Sequence, residues 1–367
     1  MKNTFGQSIA VTLFGESHGA EIGVVIDGLA PGVPVDLDQI ASDLAKRRPS
    51  TSMDTSRREP DRFRIVSGVF EGKTTGTPLT ILIPNEDKVS ASYEKMAGIA
   101  RPSHADYTAF CKYHGFEDYR GGGHFSGRIT APLVAAGSIC KSMLKALGIM
   151  IGTHVCAIRE AKDRPFENIP EDILALENAV FPALSSSFAQ AVEHTVNVAI
   201  LCDDSLGATT ETAIYGMPAG VGEPWFDSME GVLSHALFSI GGIKGVSFGL
   251  GFDFSGIRGS YANDPFRMEN GKVVTTTNHN GGINGGITNG MPILFKCAVK
   301  PTPSIGGEQQ TVNFRTGENV DITIEGRHDP VIFRRICPVI NAVSAIVLCD
   351  MLALRFGTDV FTRGFPQ

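Results

Sequence analysis

Asp118-Tyr119-Arg120-Gly121-Gly122-Gly123-His124-Phe125-Ser126-Gly127-Arg128-Ile129-Thr130-Ala131-Pro132 is the stretch around which the rest of the chain can be read. Three consecutive glycines add no side chain to a core and leave their N–H groups open to close approach, so they make a loop. Arg120 and Arg128 flank it, and His124 and Ser126 sit inside it. From Pro132 the pattern turns helical: Leu133, Ala136, Ile139, Met143 and Leu147 recur at three- and four-residue steps, and Gly148 ends the run. A glycine loop feeding a helix N-terminus between two arginines suits an anion. The same residues also suit a flexible surface turn before an ordinary helix, and local physics leaves both readings open.

Upstream, Ile9, Val11 and Leu13 alternate with small or polar neighbours and Val24-Val25-Ile26 forms a second β-rich run, two strands around Gly15-Glu16-Ser17-His18-Gly19. That connection presents a serine beside a histidine. It lacks the strand-turn-helix setting of a hydrolase nucleophile, and its polar residues also suit plain strand caps. Asp36 with Gln39 three residues on starts a helix whose apolar stripe is Ile40, Leu44 and Ala45. Lys46-Arg47-Arg48 complements the dipole at its end. Arg57, Arg58, Arg62 and Arg64 follow closely, a density that suits a multiply charged anion gripped by planar forks. Residues 63–83 read as a hairpin and 85–100 as a polar loop that leads to His104.

Downstream, the spacing predicts a strand at 150–158, helices near 170–180 and 186–194, and a strand at 196–202. A helix from Ser228 to Phe238 leads into Ser239-Ile240-Gly241-Gly242, followed by a strand carrying Phe248. A glycine cluster from Gly281 to Gly290 precedes a strand with Ile293, Phe295 and Cys297, then the rigid turn Lys300-Pro301-Thr302-Pro303-Ser304. Gly249-Leu250-Gly251 meets Phe254 where a dinucleotide fingerprint needs its third glycine, and no phosphate-binding P-loop sequence occurs. A last strand at 320–325 precedes an apolar helix from Val331 to Leu354, with Ile332, Ile336, Ile340, Val343, Ile346 and Leu348 inward. Arg334 and Arg335 in its first half oppose the macrodipole, which points to an anion or an acidic partner.

Bulk properties exclude several classes. A net charge of −7 from 32 basic and 39 acidic residues argues against a nucleic-acid binder. Seven cysteines without a Cys-x-x-Cys pair suggest free thiols in a reducing compartment. A polar N-terminus and no apolar run judged long enough to span a bilayer make a cytoplasmic protein the expectation, and no composition break divides 1–367, so one domain is expected. No cluster reads as a metal site.

The phrase Arg120-Gly-Gly-Gly-x-x-Ser126-x-Arg128-x-Thr130-Ala131, after Arg101-Pro102-Ser103-His104-Ala105-Asp106-Tyr107, resembles chorismate synthase. So do Gly15–Gly19, Lys46-Arg47-Arg48-Pro49, Arg57-Arg58-Glu59-Pro60-Asp61, Asn278–Ile283, Lys300-Pro301-Thr302 and Gly326-Arg327-His328-Asp329-Pro330, in shared order nearly end to end.

The resemblance implies an α+β fold, a β-α-β sandwich with helices enclosed between antiparallel sheets, assembled as a homotetramer. It also implies a lyase that converts 5-enolpyruvylshikimate 3-phosphate to chorismate and phosphate by 1,4-anti elimination and needs reduced FMN. By the same likeness His18 protonates the leaving phosphate with Ser17 beside it, His104 stands near flavin N1, and Asp329 with Ser126 serves N5. Flavin contacts fall on His124, Phe125, Ser126, Gly241, Gly242, Gly285, Lys300, Pro301, Thr302, Pro303, Ser304 and Arg327. Substrate anions fall to Arg47, Arg48, Arg128 and Arg335. The three clusters Gly121–Arg128, Gly281–Gly285 and Lys300–Ser304 are expected to converge on one flavin.

Two departures from the pattern matter. The family's Arg-Ser-Ser-Ala-Arg is here His124-Phe125-Ser126-Gly127-Arg128, with a weaker cation and one hydroxyl fewer. Met53 stands where the family offers an arginine for NADP, so an external flavin reductase is the expected reductant source. A divergent flavin enzyme acting on another phosphorylated acid, or a non-catalytic anion binder, are the alternatives on the same scaffold.

Overall fold

The computed structural model describes residues 2–51, 53–54, 59–87, 96–324 and 329–366. Two five-stranded antiparallel sheets frame it. The first comprises β1 (Thr4–Phe5), β2 (Ala10–Gly15), β3 (Glu21–Asp27), β4 (Arg64–Ser67) and β5 (Leu79–Pro84), in the order β1-β2-β3-β5-β4. The second comprises β6 (Met150–Ile158), β7 (Ala161–Lys162), β8 (Ala208–Tyr215), β9 (Ile243–Phe248) and β10 (Ile293–Val299), in the order β9-β10-β8-β6-β7. A ribbon of β11 (Gln309–Asn313) and β12 (Glu318–Ile322) stands apart. The principal helices are α1 (Leu37–Arg47), α2 (Asp106–Tyr113), α3 (Thr130–Ala146), α4 (Ile169–Asn178), α5 (Ser186–Leu201), α6 (Met229–Leu237) and α7 (Phe333–Phe356).

Period-two burial makes the first sheet one-sided. Ile22, Val24 and Ile26 on β3 and Leu79, Ile81 and Ile83 on β5 are buried, and α3 packs on these strands and on β2. The second sheet is covered on both faces: Thr153 on β6 hydrogen-bonds Asn341 of α7, whereas the neighbouring Gly152 abuts Ile173 of α4. Between the sheets α3 crosses α7 at Gly137, where even a methyl group would lie 2.3 Å from the Ala342 side chain. The layers therefore run sheet, α3, α7, sheet, α4, so that α3 and α7 are enclosed between antiparallel sheets as expected.

Most of α7 is buried. It is the one described helix long and apolar enough to cross a membrane by length and composition, though Asp350 interrupts its apolar run, and 89% of its most apolar window lies inside the fold. From this helix Asp350 accepts the N–H groups of Gln7, Ser8 and Ile9 at 2.7–3.1 Å, fixing the entry to β2.

Other differences from the sequence reading have physical causes. Residues 196–201, expected as a strand, are the end of α5. Val196, Val198 and Ile200 alternate as in a strand, but the buried set Phe188, Val192, Val196 and Ala199 follows the helical repeat. The strand is β8, which was not anticipated: Thr210 to Ile214 are all buried, so no alternation marks it. Helix α2 also escaped notice because Ala109 alone of its residues is buried. By contrast α1 begins as read, with the Asp36 carboxylate accepting the Gln39 N–H at 2.9 Å.

Candidate active site

The glycine triplet folds as a tight turn over Arg120–Phe125 with Gly121, Gly122 and Gly123 all at positive φ (59°, 81° and 53°). A side chain on Gly123 would strike the Asp118 carbonyl, and one on Gly121 would come within 2.5 Å of the His18 ring, so only glycine closes this turn. Ser17 fastens it to the first hairpin: its N–H donates to Gly123 O at 3.1 Å and its hydroxyl to Gly121 O at 3.1 Å. His124 Nδ1 donates to Gly15 O at 2.8 Å, leaving Nε2 on the other side of the ring. Ser126 caps the next turn, its Oγ accepting the Arg128 N–H at 3.3 Å.

On the far side of the loop stands His104. A side chain on Gly122 would lie 3.4 Å from His104 Cε1 and 3.5 Å from its Nε2, so His18 and His104 flank successive residues of the triplet. The segment carrying His104 hangs on β11, through Ala100 N–H to Val312 O at 3.1 Å and Phe314 N–H to Gly98 O at 2.9 Å. His104 Nδ1 lies 2.7 Å from Asp106 Oδ1, and Arg101 grips the same carboxylate from Nε at 2.9 Å and Nη2 at 2.8 Å. Burial pushes the Asp106 carboxyl up, but hydrogen bonds from His104 and Arg101 outweigh it and hold the group well below the ordinary range. Against that carboxylate Nδ1 must carry the proton, so in the neutral ring Nε2, beside Gly122, is the acceptor.

Five arginines gather nearby. Asp61 bridges two of them: its carboxylate accepts Arg47 Nη2 at 2.8 Å and also pairs closely with Arg128 Nη1. Arg128 further donates to Asn85 Oδ1 and Pro84 O, both at 3.0 Å, so much of its fork is spent inside the protein. Among the described residues the buried Arg47 Nε has no hydrogen-bond partner. Burial, together with the charges of Arg128 and Arg335, lowers the Arg47 pKa against the pull of Asp61. A second hub, Asp54, accepts Arg334 Nη2 at 2.6 Å and the Ser50 and Thr51 N–H groups at 2.9 Å, and it lies 3.6 Å from Arg335 Nε. Arg335 also pairs with Asp329. The two arginines opposing the α7 dipole thus have acidic partners. Arg48 donates to Pro60 O at 2.9 Å.

The turn after β10 joins this region. Lys300 Nζ donates to Ser103 O at 2.7 Å and its N–H to Gly242 O at 2.9 Å, while Thr302 Oγ bonds the Asp329 carbonyl. Burial and the neighbouring Lys244 lower the Lys300 pKa, so an anion alongside would be welcome. Gly241, Gly242, Pro301, Pro303 and Ser304 lie in or beside these turns.

Gly285 does not join them. Its hairpin contacts Glu223 O and Ser228, and Gly281 abuts Leu294 O at the start of β10, whereas Lys300 follows its end. Six residues of strand separate those two points, roughly 20 Å. Arg327, with Arg57 and Arg58, lies outside the described residues.

Beside the glycine turn opens a cavity of about 320 Å³, lined by His104, Gly122, His124 and Phe125 and walled by aromatics including Tyr113 and Phe314. Asp61, Asp54, Asp106 and Arg101 are the functional-site residues whose roles sequence reasoning missed. The available signal was a carboxylate inside each arginine-rich phrase.

The chorismate synthase family model matches residues 9–353. The chain belongs to the chorismate synthase family. Relatives named chorismate synthase include those of Methanocella arvoryzae, 46% identical with 95% of this chain and 94% of the relative covered, and Lachnoclostridium phytofermentans, 45% identical with 95% of each covered. The relative from Methanococcoides burtonii is 44% identical, again over 95% of both. A chorismate synthase crystal structure superposes with a TM-score of 0.75 at 26% identity, over 96% of this chain and 94% of the other. The likeness thus spans both sheets and the enclosed helices, the α+β sandwich expected from the family's motifs.

Proposed function

We propose that this protein is a lyase that converts 5-enolpyruvylshikimate 3-phosphate to chorismate and phosphate by 1,4-anti elimination in the presence of reduced FMN. The observation that carries the reading is the pairing of two imidazoles on successive glycines beside a cluster of buried arginines. A substrate with one phosphate and two carboxylates needs such cations, and acid–base work near neutral pH needs such rings.

The residues present fit a flavin. The aromatic-walled cavity suits a flat ring, glycine backbone allows close approach, and Lys300 offers a cation for a phosphate. His124, Phe125, Ser126, Gly241, Gly242 and Lys300–Ser304 would hold it, with Arg327 added by family likeness. Gly285, at the other end of β10, would reach it only across the length of the group or from a second copy. Reduced flavin, when bound, lends electron density for phosphate loss and takes up a hydrogen from the ring.

The chain's own side chains manage charge and protons. Arg47 and Arg335 bind the substrate anions, Arg48 adds charge, and Arg128 chiefly fixes the wall through Asp61. His18, buried against Gly121 and held by the Ser17 turn, gives a proton to the leaving phosphate. His104 takes or gives one at Nε2 because Asp106 keeps the other at Nδ1. Asp329, held by Arg335, serves as the base near N5, with Ser126 in support.

Met53 is buried in the apolar core rather than offered to a nucleotide, which supports an external reductant over direct NADP use. We read 1–367 as one domain, cytoplasmic, working as a homotetramer. Exposed aromatics such as Trp225, Phe226 and Phe252 support an assembly. The test is a titration of oxidised FMN with substrate at saturation. A flavin absorbance or fluorescence change is expected, lost in Lys300→Ala. No change in the wild-type protein contradicts the reading.

A further inference from the structure

A second cavity, of about 340 Å³, lies away from the glycine turn, among α1, α3, α4, α7 and the outer edge of β6. β7 pairs with β6 only at Ala157 and Ile158, so among the described residues the edge over Ile151–Thr153 has no partner strand and opens into this space. One end is cationic. Lys46 and Lys141 line it with the carboxylates of Asp43 and Glu177, and Arg334 lines it with its own partner Asp54 behind. Asp43 serves both ammonium groups, at 2.9 Å from Lys141 Nζ and 3.8 Å from Lys46 Nζ. Burial and then the charge of Lys141 lower the Lys46 pKa, against the pull of Asp43 and Glu177.

Arg334 is only 6% exposed, and its Nη2 is spent on Arg48 O and Asp54, yet its Nε has no hydrogen-bond partner. A buried N–H in that state is costly unless something accepts from it. The other end is apolar, with Ile151, Ile173 and Leu176.

We propose that this cavity is a second small-molecule site, for a monocarboxylate with an apolar body. The carboxylate sits among Lys46, Lys141 and Arg334 Nε, satisfying the open donor, and the body lies on Ile151, Ile173 and Leu176. A space of this size takes a small organic molecule. Its occupant shares the Arg334 guanidinium with Arg48 and Asp54, so it touches the frame of the candidate active site without entering it.

Benzoate is the probe, titrated into the full-length protein and followed by saturation-transfer NMR. Saturable binding is expected, weakened about tenfold or more in Lys46→Gln, which removes a half-exposed cation, and in Ala179→Phe, which fills the space. Ala179 lines the cavity in an extended conformation (φ −74°, ψ 135°) that accepts any side chain, and thermal melts of both variants should match wild type. Inorganic phosphate in excess, lacking the apolar body, should not displace benzoate. No saturable binding, or binding that survives Ala179→Phe, would overturn the proposal. So would binding indifferent to Lys46→Gln, or ready displacement by phosphate.

Discussion

His104 Nδ1 lies 2.7 Å from Asp106 Oδ1, and this contact fixes which nitrogen of the ring faces the glycine turn. Because the carboxylate is held ionised by His104 and Arg101 against its burial, the proton stays on Nδ1 and Nε2 is presented beside Gly122. Asp106→Asn keeps the shape but lets Nδ1 accept, turning the ring to the other tautomer. Turnover should fall toward that of His104→Ala, by roughly 10²–10⁴-fold, with substrate affinity little changed. Steady-state kinetics beside a thermal melt checks this. A variant with wild-type turnover makes the contact merely structural.

Asp61 joins Arg47 and Arg128 in one buried unit, so removing its charge strands two guanidinium groups. Asp61→Asn should cost roughly 3–5 kcal/mol at neutral pH. Burial raises the Asp61 pKa, but the two arginines more than reverse this and leave it depressed. A depressed carboxylate contributes stability that is present above its unfolded value, about 3.9, and is lost as pH falls through the folded value. The stability gap between wild type and Asp61→Asn should therefore be constant above about pH 5 and close in acid. Denaturant melts from pH 7 to 3 measure it.

At Gly137 the α3 and α7 backbones approach too closely for any side chain. Gly137→Val should force the crossing apart and cost about 1–3 kcal/mol or more, read as a lower melting temperature. A neutral outcome would mean that the two central helices are not packed as described.

Met53→Arg restores the cation of the family's pattern but places it in a buried apolar setting. It should destabilise the fold by about 2–4 kcal/mol and give no NADPH-driven flavin reduction in purified protein. Brisk reduction by the variant would show that the site tolerates the nucleotide after all.

Much of the fold was legible wherever burial is one-sided. The alternation of Ile9, Val11 and Leu13 and the helical repeat from Leu133 to Met143 name their elements directly. Where both faces are covered, as at Thr210–Ile214, periodicity vanishes and the strand is silent in the sequence. The imidazoles and arginines of the candidate site could be read from short phrases, because glycine turns and clustered cations are chemically distinctive. Their organisers could not. Asp61, Asp54 and Asp106 act through partners that are distant in sequence or depend on a turn, and only folding brings them together. The position of Gly285 was equally hidden, since nothing in a linear string tells which end of β10 a hairpin occupies.

The most direct measurement is phosphate release from 5-enolpyruvylshikimate 3-phosphate under anaerobic conditions, with and without reduced FMN. Rapid release of phosphate with matching formation of chorismate is expected when reduced FMN is present, and none above background when it is absent. His18→Ala should lower that rate by roughly 10²–10⁴-fold while leaving substrate affinity near that of wild type. Phosphate release at the same rate without flavin, or no release with it, would contradict the assigned reaction.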